Sequence, residues 1–478
     1  MHLIKSKYLY VYHFDNKVVF WNSLYMNVTV FYKELAEKIL NGLDEKKTRD
    51  AFVSLVGDEI MQMLENNHYI CEEGEETFEV LNKYKTCSEI DIQTLVLLIT
   101  NLCNFDCVYC QIEKNLAKEN ELCSMSREVA DQALNYFNLN CSERKNKTVT
   151  ITGGEPLLNW DVVSYIIEKV RKEFDSTTRI VIFTNGSLIT KSIASFFKEY
   201  NVQVLVSLDG PEKIFNCVRL TKDGTDGFDQ AIRGYNILVE EGCNVGISAV
   251  GGIHNVEKMD ELKEFFSRLK PSSVGFNISH MLIDKDNPTY ISSQQYAELL
   301  IELYEYLADK GIYLENISRS INSFVKKQPR LRECQAQGHG ITVAPNGKYG
   351  PCKSLLVSDV FALDLKNNEK VCDQDIFKKW AKRNVATCSN CTNCPALTIC
   401  GGGCGYDSYI KNNGNFQEID NDICSYSKTI LEYLLLSVAN KAKVTESGFY
   451  ELDSVKAEEI FRWFVNKENE LQKSVGHE

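Results

Sequence analysis

Between Asn101 and Cys110 the chain reads Asn-Leu-Cys-Asn-Phe-Asp-Cys-Val-Tyr-Cys, a Cys-x3-Cys-x2-Cys run formed by Cys103, Cys107 and Cys110. Such spacing gathers three soft thiolates on one tight loop, a donor set suited to zinc or to iron–sulfur ligation. Three thiolates on a four-iron cluster leave one iron without a protein ligand, and an open coordination position is the mark of a catalytic rather than a structural metal site. A structural zinc would want a fourth ligand nearby, but the next cysteine is Cys123, in a polar segment. A second group lies downstream. Cys334 is followed by Gly347 and Cys352, and then by Cys391-x2-Cys394-x5-Cys400-x3-Cys404 and Cys424. Cys388-x2-Cys391-x2-Cys394 would also suit a zinc knuckle. Eighteen cysteines in one chain, clustered in this way, argue for metal ligation over a disulfide framework. Cys71, Cys87, Cys123, Cys141, Cys217 and Cys243 stand apart and read as simple thiols.

The elements that must position these thiolates can be read from hydrophobic periodicity. Residues 91–329 alternate apolar strands with amphipathic helices. The strands are Thr94–Thr100, Thr148–Thr152, Arg179–Thr184, Val202–Leu208, Val245–Val250 and Ser273–Ile278. Near-continuous apolar runs are expected when both faces of a parallel sheet are covered. Six βα units fall two short of an eight-fold barrel, so the expected fold is α/β, an incomplete (β/α)6 TIM-like barrel open at one side. The Cys103 loop leaves the C-terminal end of the first strand, where barrel active sites sit. Residues 1–90 hold strand-like runs at Lys7–Phe14, Val18–Leu24 and Asn27–Tyr32. Helical stretches follow at Lys33–Leu43 and near Thr48–Glu65, a layout like a small winged-helix module. Residues 330–428 are Cys-rich, with a hairpin signal at Pro345-Asn346-Gly347. A helical tail is expected over 429–478, with helices at Thr429–Lys441 and Val455–Gln472, the second packing through Ile460, Phe461, Phe464 and Leu471.

Cys-x3-Cys-x2-Cys after the first strand of a βα series resembles the signature of radical S-adenosylmethionine enzymes. The landmarks that follow agree in order. Thr152-Gly153-Gly154-Glu155-Pro156 is similar to the family's Gly-Gly-Glu-Pro loop, which implies contact with the methionine amino group. Thr184-Asn185-Gly186 and Ser207-Leu208-Asp209-Gly210 end the third and fourth strands and resemble ribose and methionine contacts. Arg219 lies where relatives place an arginine on the methionine carboxylate, a charge-assisted pairing. The resemblance therefore implies cofactor contacts at Tyr109, Gly153, Gly154, Glu155, Pro156, Thr184, Asn185, Ser207, Asp209 and Arg219. The second cysteine group resembles the seven-Cys SPASM domain, which carries two auxiliary [4Fe-4S] clusters. That likeness implies Cys391, Cys394, Cys400 and Cys424 on the outer cluster, and Cys334, Cys352 and Cys404 on the inner one. The inner cluster then has either a fourth ligand from Cys372 or Cys388, or an open iron able to bind a substrate thiolate. S-adenosylmethionine and three [4Fe-4S] clusters are the implied cofactors.

Among SPASM enzymes, an N-terminal winged-helix-like module resembles the element of peptide maturases that recognises the leader of a ribosomal precursor. The leader adds as a strand, with main-chain bonds supplying affinity and side-chain pockets supplying register. Val28–Tyr32 with the next helix is the expected groove. The implied function is thioether crosslinking of a Cys-rich precursor, of the sactipeptide or ranthipeptide type, with an electron donor such as flavodoxin or ferredoxin. Carbon–carbon crosslinking, epimerisation, sulfatase maturation, or a catalytically silent iron–sulfur scaffold are the other readings. With 53 basic against 66 acidic residues, net charge −13, the chain lacks the basic surface of a general nucleic-acid or anionic-membrane binder. No run reaches the length of a membrane span, and no signal peptide opens the sequence. The expectation is a cytoplasmic protein without nucleic-acid or membrane partners. His254, His280 and His339 carry no assigned role.

Overall fold

The computed structural model describes residues 2–74, 79–110, 123–141, 147–278, 289–356, 362–365, 370–419 and 421–461. In chain order its strands are β1 (Leu3–Lys5), β2 (Leu9–Phe14), β3 (Lys17–Asn22), β4 (Asn27–Tyr32), β5 (Ile70–Glu72), β6 (Thr94–Leu98) and β7 (Phe105–Cys107). They continue with β8 (Thr148–Thr152), β9 (Arg179–Thr184), β10 (Val202–Ser207), β11 (Arg219–Thr221), β12 (Asn244–Gly251), β13 (Ser273–Ile278) and β14 (Tyr313–Leu314). The last are β15 (Gly340–Val343), β16 (Lys348–Gly350), β17 (Leu363–Asp364) and β18 (Phe449–Leu452).

Six parallel strands, β6-β8-β9-β10-β12-β13, form the open barrel. Helices such as Trp160–Glu173, Lys191–Glu199, Gly227–Glu240 and Met259–Leu269 cover its outer face. Val149, Ile151, Ile180, Ile182, Val204 and Val206 are fully buried beneath them. In β8 the burial alternates, with Val149 and Ile151 buried and Thr148, Thr150 and Thr152 only partly so. A parallel strand needs a crossover to reach its neighbour, and the helices between strands supply it. Every barrel strand ends at the same side as the Cys103 loop, so the loops after β6, β8, β9 and β10 are brought together.

The barrel sheet does not stop at six strands. β14 adds beside β13, and on the other edge β15 pairs in parallel with β6, Gly340 opposite Thr94 through Val343 opposite Leu97. β16 and β17 then continue antiparallel. The Cys-rich region is thus hydrogen-bonded to the strand that carries the Cys103 loop. Gly347, at φ +83°, makes the expected turn between β15 and β16.

In the N-terminal region β2, β3 and β4 form an antiparallel meander, with Phe20, Phe31, Ile39, Phe52, Met61 and Tyr69 buried together. The single helix expected over Thr48–Glu65 is instead two, Arg49–Val56 and Asp58–Asn66. Gly57 breaks them at φ +88°, a conformation that costs glycine little. A larger departure lies at the other end of the chain. The tail is not wholly helical: after the helix Asn421–Lys441, residues Phe449–Leu452 form β18. β18 pairs antiparallel with β4, so the Val28–Tyr32 edge expected to receive a leader peptide is already covered. A helix follows at Ser454–Ile460; Phe464, Leu471 and the rest of the expected Val455–Gln472 helix lie outside the described residues, as does His280.

Candidate functional site

The loop after β6 is pinned from two sides. Cys107 sits opposite Arg219 in the short antiparallel pair β7–β11. Val108 N–H donates to Val218 O at 2.9 Å, and Lys222 N–H to Asn104 O at 3.0 Å. Within the loop, Cys110 N–H donates to Cys107 O at 2.9 Å, and Phe105 N–H approaches Cys103 Sγ at 3.4 Å. Burial pushes the Cys107 thiol up to about 12; Arg219 opposes this, while Cys110, Asp209 and Cys103 add to it. Three neighbouring sulfurs with a costly thiolate form are a donor set that gains by exchanging protons for iron. Cys123, the cysteine nearest in sequence, is instead a backbone clamp: its N–H donates to Asn101 Oδ1 at 2.7 Å, and its carbonyl accepts from Asn101 N–H and Thr100 Oγ1.

The Gly-Gly-Glu-Pro loop packs against this segment, main chain to main chain. Gly154 N–H donates to Thr100 O at 2.7 Å and Glu155 N–H to Leu102 O at 2.8 Å. A Cβ at Gly153 would lie 2.5 Å from Thr100 O, and one at Gly154 2.1 Å from Leu102 O. Both glycines are therefore required by the cluster loop itself. Glu155 is fully buried. Its carboxylate accepts from Leu157 N–H (3.1 Å), Thr184 Oγ1 (2.8 Å) and Asn185 N–H (2.7 Å), tying the ends of β8 and β9 together. Desolvation outweighs these three donors and raises its pKa to about 7. Pro156 is buried and opens the short 3-10 turn Pro156–Asn159.

After β9, Asn185 Oδ1 accepts from Ser187 N–H at 3.0 Å, the Asx turn that an Asn-Gly-Ser stretch favours. Asn185 Nδ2 donates to Asn104 Oδ1 at 2.8 Å, and Asn104 Nδ2 to Ser187 Oγ at 2.9 Å. This amide network links the third strand to the Cys103 loop. Sequence reasoning passed over Asn104 and Ser187, although each lies inside or beside a motif it used.

Asp209 and Arg219 form a buried bidentate pair, Nε to Oδ2 at 3.0 Å and Nη2 to Oδ1 at 2.9 Å. Tyr109 OH donates to the same carboxylate, and Val250 N–H adds a fourth bond at 2.8 Å. The Arg219 guanidinium also lies over the Tyr109 ring, 5.4 Å from its centroid. Burial opposes the guanidinium charge, but Asp209 more than restores it, so Arg219 stays cationic. Ser207, at the end of β10, stands opposite Ser248 of β12 and is partly exposed toward the same side. His254 stacks near Tyr109 at 6.2 Å, with its pKa lowered chiefly by burial. His339 is structural, bridging Arg332 Nη1 and the Asp91 carbonyl, both at 3.1 Å.

The other cysteines fall into two groups. Burial raises the Cys334 pKa to about 12, with Cys352 as its strongest charged neighbour. Cys404 lies well above its ordinary value through burial, with Asp407, Cys352 and Cys334 around it. Cys391 is raised by burial and is surrounded by Cys400, Cys388, Cys394 and Cys424. Cys388 is buried and belongs to this second set, whereas Cys372 is exposed beside Asp373. Arg383, which sequence reasoning also missed, is fully buried and ties the chain ahead of the outer cysteines to the segment around Gly402–Phe416. It donates to the carbonyls of Phe416, Gly403 and Gly402 and to Ser408 Oγ, at 2.6 to 3.0 Å.

Comparison with known proteins gives the same picture. Residues 97–267 match the Radical SAM superfamily. The radical SAM cyclopropyl synthase TigE of Paramaledivibacter caminithermalis is 26% identical over 373 residues, 74% of this chain and 76% of that protein. The fold is similar to native anSMEcpe with bound AdoMet at a TM-score of 0.62 and 19% identity, covering 73% of this chain and 100% of the other. It is similar to Streptococcus suis SuiB bound to precursor peptide SuiA at a TM-score of 0.54 and 17% identity, covering 88% and 99%. No helix among the described residues is long and apolar enough to cross a membrane. With a three-cysteine loop on the first strand of an open six-stranded barrel and a Cys-rich region joined to that strand, the chain carries a radical SAM domain over residues 97–267 and resembles the radical SAM enzymes it matches.

Proposed function

We propose that the chain modifies a ribosomally made, Cys-rich precursor peptide, with thioether formation between a cysteine sulfur and carbon as its reaction. When bound, the cofactor and its cluster supply a 5′-deoxyadenosyl radical able to take hydrogen from an unactivated carbon. Cys103, Cys107 and Cys110 would hold that cluster. Gly153, Gly154, Glu155 and Pro156 would border the methionine end, with Thr184, Asn185 and Ser207 on the far strand ends. Arg219 would face the methionine carboxylate, held in place by Asp209 and Tyr109. Cys391, Cys394, Cys400 and Cys424 would carry the outer auxiliary cluster, and Cys334, Cys352 and Cys404 the inner one. Residues 1–90 would recognise the leader, and a flavodoxin or ferredoxin would supply electrons.

One observation favours the thioether chemistry. Cys388 lies beside Cys391 and Cys400 of the outer set and Cys372 is exposed, which supports an inner trio of Cys334, Cys352 and Cys404 with one iron left open. An iron without a protein thiolate can accept one from the substrate. The similarity to TigE, a cyclopropyl synthase, favours a second reading, carbon–carbon bond formation. Anaerobic co-expression with each short Cys-rich reading frame encoded beside this gene separates them by mass before and after thiol alkylation. Loss of hydrogen pairs together with protected thiols is expected for thioethers. Hydrogen loss with every thiol still alkylatable would move the assignment to a carbon–carbon bond. An unchanged peptide, from enzyme that cleaves S-adenosylmethionine, would overturn the peptide reading.

A further inference from the structure

An exposed strand edge recruits a partner, and in this chain the partner of β4 comes from the chain's own far end. β18 runs antiparallel to it with Phe449 opposite Phe31, Tyr450 opposite Val30, Glu451 opposite Thr29 and Leu452 opposite Val28. Tyr32 N–H reaches Gly448 O at 3.4 Å. Ladder alternation then makes Tyr450–Val30 the next hydrogen-bonded pair. The approach to the strand is a tight turn at Thr445–Gly448, with Gly448 at φ +87° and Leu35 Cδ2 2.8 Å from where a Cβ would stand.

β18 is short, and three of its four residues are only partly buried. Its two faces meet two different cores. Phe449 packs with the N-terminal core, its ring 6.3 Å from Phe31. Tyr450 and Leu452 join the main core. Glu451, on the Phe449 face, accepts from Asn67 Nδ2 at 2.5 Å and lies in the field of Lys327. Ser447 Oγ donates to Glu59 on the helix Asp58–Asn66. The strand therefore occupies a cleft between β4 and that helix, with an aromatic pocket at one position, a donor for a carboxylate two residues later, and apolar contact on the alternate face.

We propose that β18 is a resident mimic of the precursor leader. The cleft accepts an extended peptide segment with an aromatic residue, an acidic residue two positions on, and apolar side chains at the alternating positions. The leader docks by displacing Phe449–Leu452. This rests on the reading that the enzyme modifies a precursor whose leader the N-terminal module binds. A tethered strand competes at a high effective concentration, so the free cleft is the minor form and apparent affinity for a peptide is reduced by the open fraction.

The test uses full-length, cluster-loaded enzyme, wild type and Tyr450→Pro, which removes the N–H facing Val30. Glu451→Lys serves as a milder second variant should the proline impair folding. The probe is a fluorescein-labelled peptide of this chain's residues 444–453, read by anisotropy. Opening the cleft should tighten probe binding at least about tenfold over wild type. A probe with lysine in place of the glutamate that corresponds to Glu451 should lose most of that gain. The precursor that wild-type enzyme modifies should compete for the probe and show a lower KM with the variant. Probe binding that is no tighter in either variant would overturn the proposal, as would a modified precursor that does not compete; β18 would then be a permanent strand and the leader would dock elsewhere. If wild type cleaves S-adenosylmethionine but modifies no precursor, the functional reading fails first, and probe binding separately reports whether the cleft opens.

Discussion

At the scale of single residues, two buried carboxylates organise the site without being free to react. Asp209 uses both oxygens on Arg219, Tyr109 and Val250. Removing one partner of a buried pair strands the other, at a cost of about 3–5 kcal/mol. Arg219→Ala should therefore lower Tm strongly, and Asp209→Asn less, because an amide keeps part of the donor set satisfied. Thermal unfolding of cluster-free protein under nitrogen checks the order. Glu155 behaves differently. Its pKa in the folded chain is raised to about 7 from 4.5, so folding favours the protonated form. That contribution to stability is complete below pH 4.5 and is lost as pH rises through about 7. The Tm of cluster-free enzyme should fall between pH 5 and 8, and Glu155→Gln should flatten the slope while lowering Tm at pH 5, since its amide leaves one facing N–H without an acceptor. A slope unchanged in that variant would place the titration elsewhere. The motif residues were legible in the sequence, but their physical roles were not all so. The Gly153-Gly154 pair was read as a cofactor contact, and the structure adds a nearer cause for the glycines in the carbonyls of Thr100 and Leu102. Contact between two backbones leaves no trace in composition beyond the glycine itself.

Elements tell a similar story one level up. The six barrel strands announced themselves because each is a compact apolar run between amphipathic helices, and local periodicity suffices to find them. Pairings between distant segments have no such signal. β7 against β11, β15 against β6 and β18 against β4 each join stretches far apart in sequence, and Phe-Tyr-Glu-Leu shows no alternation that would mark β18 as a strand. These pairings matter to the site, because β7–β11 sets Cys107 opposite Arg219 and β15 fixes the Cys-rich region to β6. A tight junction lies between the loops after β6 and β8. Gly154→Ala would drive a methyl into Leu102 O, 2.1 Å from the ideal Cβ position, and the main chain next to Cys103 would have to move. The expected result is a selective loss of the Cys103/Cys107/Cys110 cluster. Iron per chain after anaerobic reconstitution should fall by about a third relative to wild type, with the auxiliary share retained. A full iron complement, with undiminished cleavage of S-adenosylmethionine, would show that the loop tolerates the shift.

Across the whole molecule, the N-terminal module and the outer cysteine group share one core. Tyr8, Leu24 and Leu81 are buried together with Cys388, Cys391, Leu397 and Ile419. Trp21 Nε1–H donates to Pro395 O at 2.7 Å and Tyr10 OH to Asn393 O at 2.6 Å, so two strands of the module hold the backbone of the Cys391–Cys400 loop. Arg332 extends the link, donating to the carbonyls of Cys87, Glu89 and Ala381. If this loop holds a cluster, metal binding would add folding free energy that its short cysteine-spaced turns cannot provide alone. Order in the loop should therefore propagate to β2 and β3 through these contacts. Cys391→Ser, which would remove a proposed ligand of the outer cluster, should weaken protection from hydrogen exchange at Leu9–Phe14 and Lys17–Asn22. The barrel strands Arg179–Thr184 and Val202–Ser207, which pair with other barrel strands, should exchange as in wild type. Equal loss of protection in barrel and module would mean that the variant unfolds globally and that no specific coupling exists. Unchanged protection in both would mean that the shared apolar core holds the module without help from the metal. The expected intermediate result would make the outer cysteine group a mechanical support for the N-terminal module.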